Sequence, residues 1–216
     1  MIVTIDGPAG AGKSTAARGL AARLGFRFLD TGAMYRVVAL KCLLEPLDLN
    51  DEQAVARAAR QVEISFENDR VFANSVDVTA SIRTPAVTEA ASVVAANEEV
   101  RKVLARSQRK LAEGLDIVTE GRDQGTVVFP DADRKFFLTA DPQQRANRRQ
   151  REFQTQGTYV AVEDIFSQIR DRDHRDQTRH AAPLRAPEDA VRVDTSHMNA
   201  DEVLAVLVRV VQGEPG

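Results

Sequence analysis

The chain has no tryptophan, and its only cysteine is Cys42. One thiol cannot close an internal disulfide, so stability has to come from burial of apolar surface. Cys42 sits in the apolar run Val37–Leu44, where a core side chain is the expected role rather than a nucleophile. No apolar run approaches the roughly 18–20 residues that a membrane-spanning helix needs. The first strand begins almost at Met1, which leaves no room for a signal peptide, and a cytoplasmic protein is expected. Surplus positive charge is missing too. There are 29 Lys and Arg against 32 Asp and Glu, a net charge of −3, which excludes the basic surface of a nucleic-acid polymer binder. The three histidines, His174, His180 and His197, hold no metal-ligand spacing and are expected at the surface.

What is present suits one compact domain with a substantial core: 216 residues, 43% hydrophobic and 28% charged. The organising stretch is Gly7-Pro8-Ala9-Gly10-Ala11-Gly12-Lys13-Ser14, which fits the phosphate-cradling pattern G-x-x-x-x-G-K-[ST]. The short β-branched run Ile2-Val3-Thr4-Ile5 precedes it as a buried strand should. A helix-forming run from Ser14 to Leu24 follows and stops at Gly25, suited to a left-handed cap. In that context the glycines let backbone N–H groups turn inward onto phosphate oxygens, and the helix N-terminus adds partial positive charge. Lys13 can reach β- and γ-phosphates, and the Ser14 hydroxyl can ligate Mg²⁺.

Further along, Phe26–Asp30 reads as a second strand, and a helix resumes through Tyr35 to Leu44. Asn50, with Gln53 at the third position, is expected to cap an Ala-rich helix. Between Val62 and Val78 the period changes to two, with a turn at Glu67-Asn68-Asp69, which predicts a β-hairpin in an inserted lobe. Thr84-Pro85 starts a helix, and Asn97 caps another that ends near Gly114. Leu115–Thr119, Lys135–Thr139 and Ala190–Asp194 complete five core strands. Two polar helices, one from Asp141 closed by Gly157 and one from about Val162 to Arg179, lie between the last two. Asn199 and Glu202 form a capping box for a final amphipathic helix, and Gly213–Gly216 is expected to fray. Strands alternating with helices predict an α/β fold with a parallel sheet.

Ligands of such sheets bind beyond the carboxyl ends of the strands. Those ends carry Asp6, Asp30-Thr31-Gly32 and Glu120-Gly121-Arg122-Asp123. Arg145, Arg148 and Arg149, at i, i+3 and i+4, are expected on one helical face, as are Arg172, Asp176 and Arg179. A solvated face laced with ion pairs would show the same spacing. Both helices are poor in apolar residues, however, and guanidinium binds phosphate bidentately without losing its charge. An arginine-lined flap that closes on a transferring phosphate accounts for both features and would exclude water.

The chain resembles the bacterial cytidylate kinases of the nucleoside monophosphate kinase superfamily. The matching segments are Thr4–Pro8 with the loop, Leu29-Asp30-Thr31-Gly32-Ala33-Met34-Tyr35-Arg36, Ile82-Arg83-Thr84-Pro85, Glu120 to Asp131, and Arg172-Asp173-His174-Arg175-Asp176. They span nearly the whole chain in the family's order. The block Gly121-Arg122-Asp123-Gln124-Gly125-Thr126-Val127-Val128-Phe129-Pro130 is specific to the family, whereas the glycine loop is shared by many ATPases.

The resemblance implies a P-loop NTPase fold: a five-stranded parallel sheet flanked by helices, with a hairpin-bearing lobe and a helical lid. The core would be residues 1–35, 115–141 and 183–216, the monophosphate-binding lobe 36–114 and the lid 142–182. It implies transfer of the γ-phosphoryl group of ATP to CMP or dCMP with Mg²⁺. Gly7, Pro8, Ala9, Gly10, Ala11, Gly12, Lys13, Ser14 and Thr15 would hold ATP, with Ser14 on the metal. Arg36 and Arg122 match the arginines that hold the acceptor phosphate. Thr31, Arg101, Asp123 and Arg179 match positions around the base, and Ser92, Arg172 and Asp176 those around the ribose. Lys13, Arg145, Arg148 and Arg149 would act on the transferring phosphate. Two positions depart from the family's common pattern. Thr31 stands where serine is usual, and Ser14 where some relatives carry glycine. A monomer that binds only small nucleotides is expected.

Three other readings compete with this one. A kinase for a small-molecule hydroxyl would use Asp30 as general base, but it needs fewer acceptor-side arginines. A GTPase-like switch lacks its N-K-x-D base reader here. Adenylate kinase lacks a match for its D-G-F-P-R segment.

Overall fold

The computed structural model describes residues 1–155 and 157–213. The expected fraying beyond Gly213 therefore lies outside the described residues. The chain forms two compact units, Met1–Leu29 with Gly114–Gly216, and Asp30–Glu113.

The first unit is built on a sheet ordered β2-β6-β1-β7-β8: Arg27–Asp30, Ile117–Gly121, Ile2–Asp6, Arg134–Thr139 and Val191–Asp194. β1 pairs in parallel with both β6 and β7, and β7 with β8. Helix α1 (Lys13–Leu24) and the C-terminal helix α8 (Ala200–Val211) cover it. Ala16, Ala17 and Leu20 of α1 and Val203 and Leu207 of α8 pack with Val3, Ile5, Val118, Phe136 and Leu138. The Asn199–Glu202 capping box forms with both reciprocal bonds. β6 begins at Ile117 rather than Leu115, which is 36% exposed, and it runs on to Gly121. Beyond it, Gln124–Val128 makes one π-helical turn, a form that hydrophobic periodicity does not signal. The polar helices, α6 (Pro142–Thr155) and α7 (Val162–Thr178), hold a small core of their own: Ala146, Ile165 and Ile169, flanked by Phe153 and Phe166.

The second unit holds α2 (Thr31–Leu44), α3 (Glu52–Gln61), a small antiparallel sheet, α4 (Pro85–Val94) and α5 (Glu98–Ala112). The expected hairpin is β3 (Ile64–Glu67) with β4 (Arg70–Ala73), in register Ile64↔Ala73 to Glu67↔Arg70. A third strand, β5 (Val76–Asp77), joins β4 through Asn74-Ser75, both at positive φ, the geometry of a tight two-residue hairpin loop. The cap of α3 is Asp51, not Asn50. Its carboxylate accepts from the amides of Gln53 and Ala54, and an ionised acceptor suits a helix N-terminus better than an amide. Cys42 is buried, as its apolar setting implied, and all three histidines are exposed. No described helix is long and apolar enough to cross a membrane.

Candidate active site

The site in the first unit starts from the turn between β1 and α1. Gly7 has φ +147°, and a Cβ there would stand 2.1 Å from the Leu138 carbonyl oxygen, so only glycine fits. Gly12 caps α1 in the left-handed region, and no side chain caps the helix. The first-turn amides of α1 are therefore left for an external acceptor, the arrangement that suits an anion.

Lys13 is 5% exposed and donates to the Pro8 carbonyl at 2.7 Å, folding back over the loop. Its pKa is lowered to about 7. Burial is the main cause, and Arg122 and Arg172 add to it against the opposing pull of Glu120 and Asp6. Arg122 and Arg172 thus both bear on the lysine, and an anionic group bound beside it would favour its charged form.

The sign of this shift gives a measurable consequence. A depressed lysine pKa makes the unliganded fold more stable as pH rises from about 7 to 10.5, because only the unfolded chain still binds that proton there. A bound polyphosphate restores the charge. At pH 8, with metal chelated, ADP binding should take up close to one proton (about 0.9 for a group titrating near 7). Calorimetry in buffers of different ionisation heat reads this number, and Lys13→Met should abolish it.

The Ser14 hydroxyl donates to Glu120 Oε1 at 3.1 Å. Glu120 is 7% exposed and lies opposite Ile5 in the β1–β6 register. In the sequence Glu120 is a charged strand end to which the motifs assign no role. Its signal was its position, at the end of the strand paired with the loop's own strand.

Arg122 follows at the end of β6. Its Nε donates to Asp176 Oδ2 at 2.7 Å, and Arg179 Nη1 lies 3.7 Å from Asp176 Oδ1. Burial by itself pushes the Asp176 carboxyl up, but the charges of Arg122, Arg172 and Arg179 hold it below the usual carboxylate range. So Arg172, Asp176 and Arg179 do share one side of α7 and its end, gathered around one carboxylate with Arg122. Asp123 is 4% exposed, and its carbonyl accepts from the amides of Val127 and Val128, which fixes its backbone.

The three arginines of α6 do not share one partner. Arg145 is 4% exposed; it donates to the carbonyls of Ala140 and Ala9 and pairs with Asp173 at 2.6 Å, tying α6 and α7 to the glycine loop. Arg148 reaches Thr195, through its hydroxyl and carbonyl, and the Met198 carbonyl. Arg149 is half-buried, pairs with Glu152 and covers the Phe153 ring. The i, i+3, i+4 spacing brought them to neighbouring azimuths, but each guanidinium is drawn to a different local acceptor. A cavity of about 520 Å³ adjoins the loop, lined by Gly10, Gly12, Thr15, Arg148, His197 and Asn199 among others.

In the second unit, Arg36 on α2 donates to the Ile82 carbonyl at 3.1 Å and the Thr88 hydroxyl at 2.6 Å. Thr31 is buried at the start of α2. Ser92 is half-buried on α4. Arg101, 7% exposed on α5, donates to the Ala95 carbonyl and stacks over Tyr35. Asp30 caps α2 by accepting from the Ala33 amide at 2.9 Å.

A family model described as cytidylate kinase matches residues 3–213. The cytidylate kinase of Caldanaerobacter subterraneus subsp. tengcongensis is 48% identical over 202 residues, covering 94% of this chain and 90% of that one. That of Carboxydothermus hydrogenoformans is 46% identical over 215 residues, covering 98% and 97%. Among solved structures, a shikimate kinase from Bacteroides thetaiotaomicron shares the fold at a TM-score of 0.50 and 11% identity, covering 98% of both chains. With the match running almost end to end and nearly half the residues identical, the chain belongs to the cytidylate kinase family.

Proposed function

We propose that the chain transfers the γ-phosphoryl group of ATP to CMP or dCMP, giving ADP and CDP or dCDP. One observation carries this reading beyond family membership: Lys13, Arg122 and Arg172 are close enough to depress the lysine beside an uncapped helix start. A polyanion bound there would relieve the repulsion among them. The acceptor oxygen is already part of an anionic phosphate, so no strong general base is required. Catalysis is in-line positioning together with neutralisation of charge on the moving group. Asp30 supports the phosphate acceptor over a hydroxyl, because its carboxylate is engaged as a helix cap.

Gly7 to Thr15 hold the donor phosphates, and Lys13 bridges the β- and γ-phosphates. Arg145, Arg148 and Arg149 belong to the lid that encloses them, and Arg145 already reaches the loop. Arg36 and Arg122 hold the acceptor phosphate. Thr31, Arg101, Asp123 and Arg179 surround the base, and Ser92, Arg172 and Asp176 the ribose. Ser14 and Glu120 present a hydroxyl beside a carboxylate, the hard oxygen pair that suits Mg²⁺. Among the described residues no group of three or more His, Cys, Asp or Glu could cage a metal, which fits an ion that arrives with its nucleotide and keeps its waters. When bound, Mg²⁺ supplies charge neutralisation on the phosphate oxygens. The protein works as a cytoplasmic monomer.

An acceptor panel of CMP, dCMP, UMP, AMP and shikimate with ATP and Mg²⁺, read by coupled ADP release, tests the function. CMP and dCMP should be turned over best, and preferential use of shikimate or AMP would overturn the reading. Arg36→Ala should raise KM for CMP about 100-fold and that for ATP by less than about threefold, since a lost guanidinium–phosphate contact acts on its own ligand. Equal rises in both would remove Arg36 from the acceptor side.

A further inference from the structure

Asp6, the last residue of β1, is fully buried, and none of the proposed nucleotide-binding roles falls to it. Its Oδ1 accepts from the Gln124 amide at 2.9 Å, and its Oδ2 from the Gly125 amide at 2.7 Å. Both donors open the π-helical turn that directly follows Arg122 and Asp123. In the β1–β6 register Asp6 stands opposite Gly121, so one side chain grips the loop just past the point where its strand ends.

We propose that Asp6 is a positioning residue: its carboxylate clamps the loop carrying Arg122 and Asp123 to the strand that feeds the phosphate loop. The inference rests on the proposed acceptor role of that loop. Three further observations support a clamp rather than a buried polar residue that merely found partners. The loop is packed so closely that a Cβ on Gly125 would lie 2.9 Å from Thr4 Oγ1 and 2.9 Å from Pro187 Cγ. Gln124 pins the turn a second time, its Oε1 accepting from the Thr119 hydroxyl at 3.1 Å. Burial also pushes the Asp6 pKa up to about 6, against the two amides that draw it down, with Asp123 raising it and Lys13 lowering it. A neutral isostere would be easier to bury. What the carboxylate adds is two charge-assisted acceptors on one rigid fork, and it can satisfy two adjacent amides at once. An asparagine would turn an NH₂ toward one of those N–H groups.

Asp6→Asn is the test. The expected result is a rise in KM for CMP of about 10- to 100-fold, the scale of a sub-ångström to ångström misplacement of binding groups, with KM for ATP changed by less than about threefold. Equal rises for both substrates, or a lower melting temperature with both KM values unchanged, would overturn the proposal. Where the variant fails to fold, amide hydrogen exchange of the wild type decides. Gln124 and Gly125 should exchange as slowly as the β1 amides even without nucleotide, and exchange at open-loop rates would overturn the clamp. If the wild type turns over no CMP, the functional reading falls, while the exchange measurement still decides the clamp.

Discussion

Lys13→Met should lower kcat by about 10³-fold, while the protein folds and melts as the wild type does or higher. The magnitude is that of losing one preorganised cation from a phosphoryl-transfer site. Methionine keeps the unbranched lysine stem, one atom shorter, but cannot carry its charge. Lys13 is buried and titrates near 7, mainly because burial disfavours its cationic form, so the unliganded fold gains little from its charge at neutral pH. Its hydrogen bond to Pro8 is the structural contact at stake. The lysine thus costs the empty fold something and serves the loaded site. Steady-state kinetics by coupled ADP release, together with thermal unfolding, separate the two. A variant within about tenfold of wild-type kcat would mean that the arginines carry the neutralisation without Lys13.

The glycine loop was legible because it combines a spacing rule with a strand before it and a helix after it. The same held for Thr84-Pro85 and the Asn199–Glu202 box, where local chemistry alone decides the helix start. Features that depend on contacts distant in sequence were not legible. β5 is two residues long and exists only because β4 is beside it. The π-helical turn has no periodic signature, and it is held in place by Asp6, some 118 positions away. Spacing gives azimuth, so it predicts one face for the arginine triplet. Spacing gives no acceptors, and Ala9, Thr195 and Glu152 drew the three guanidiniums apart. Glu120 and Asp6 stand in the sequence as charged strand ends. Only the sheet order, which sets β6 beside β1, showed that one meets Ser14 and the other holds the loop next door.

Asp123→Ala should narrow the preference for CMP over UMP by about 100-fold, and it should slow turnover of CMP more than of UMP. Cytosine presents an exocyclic amine where uracil presents a carbonyl. A carboxylate can accept from the amine, but against uracil it faces oxygen lone pairs and is left unpaired. Sites that depend on such a bond reject the wrong partner by several orders of magnitude, far beyond what a missing methylene can achieve. Asp123 is suited to this because its backbone is fixed by the Val127 and Val128 amides and its side chain is 4% exposed, so it cannot swing out into water when the wrong base arrives. Alanine removes both the acceptor and the penalty, so UMP loses less than CMP. The ratio of kcat/KM for the two acceptors reads this directly. An unchanged ratio, with both rates lowered equally, would assign base reading to Arg101, Thr31 or Arg179 and leave Asp123 with its backbone role alone.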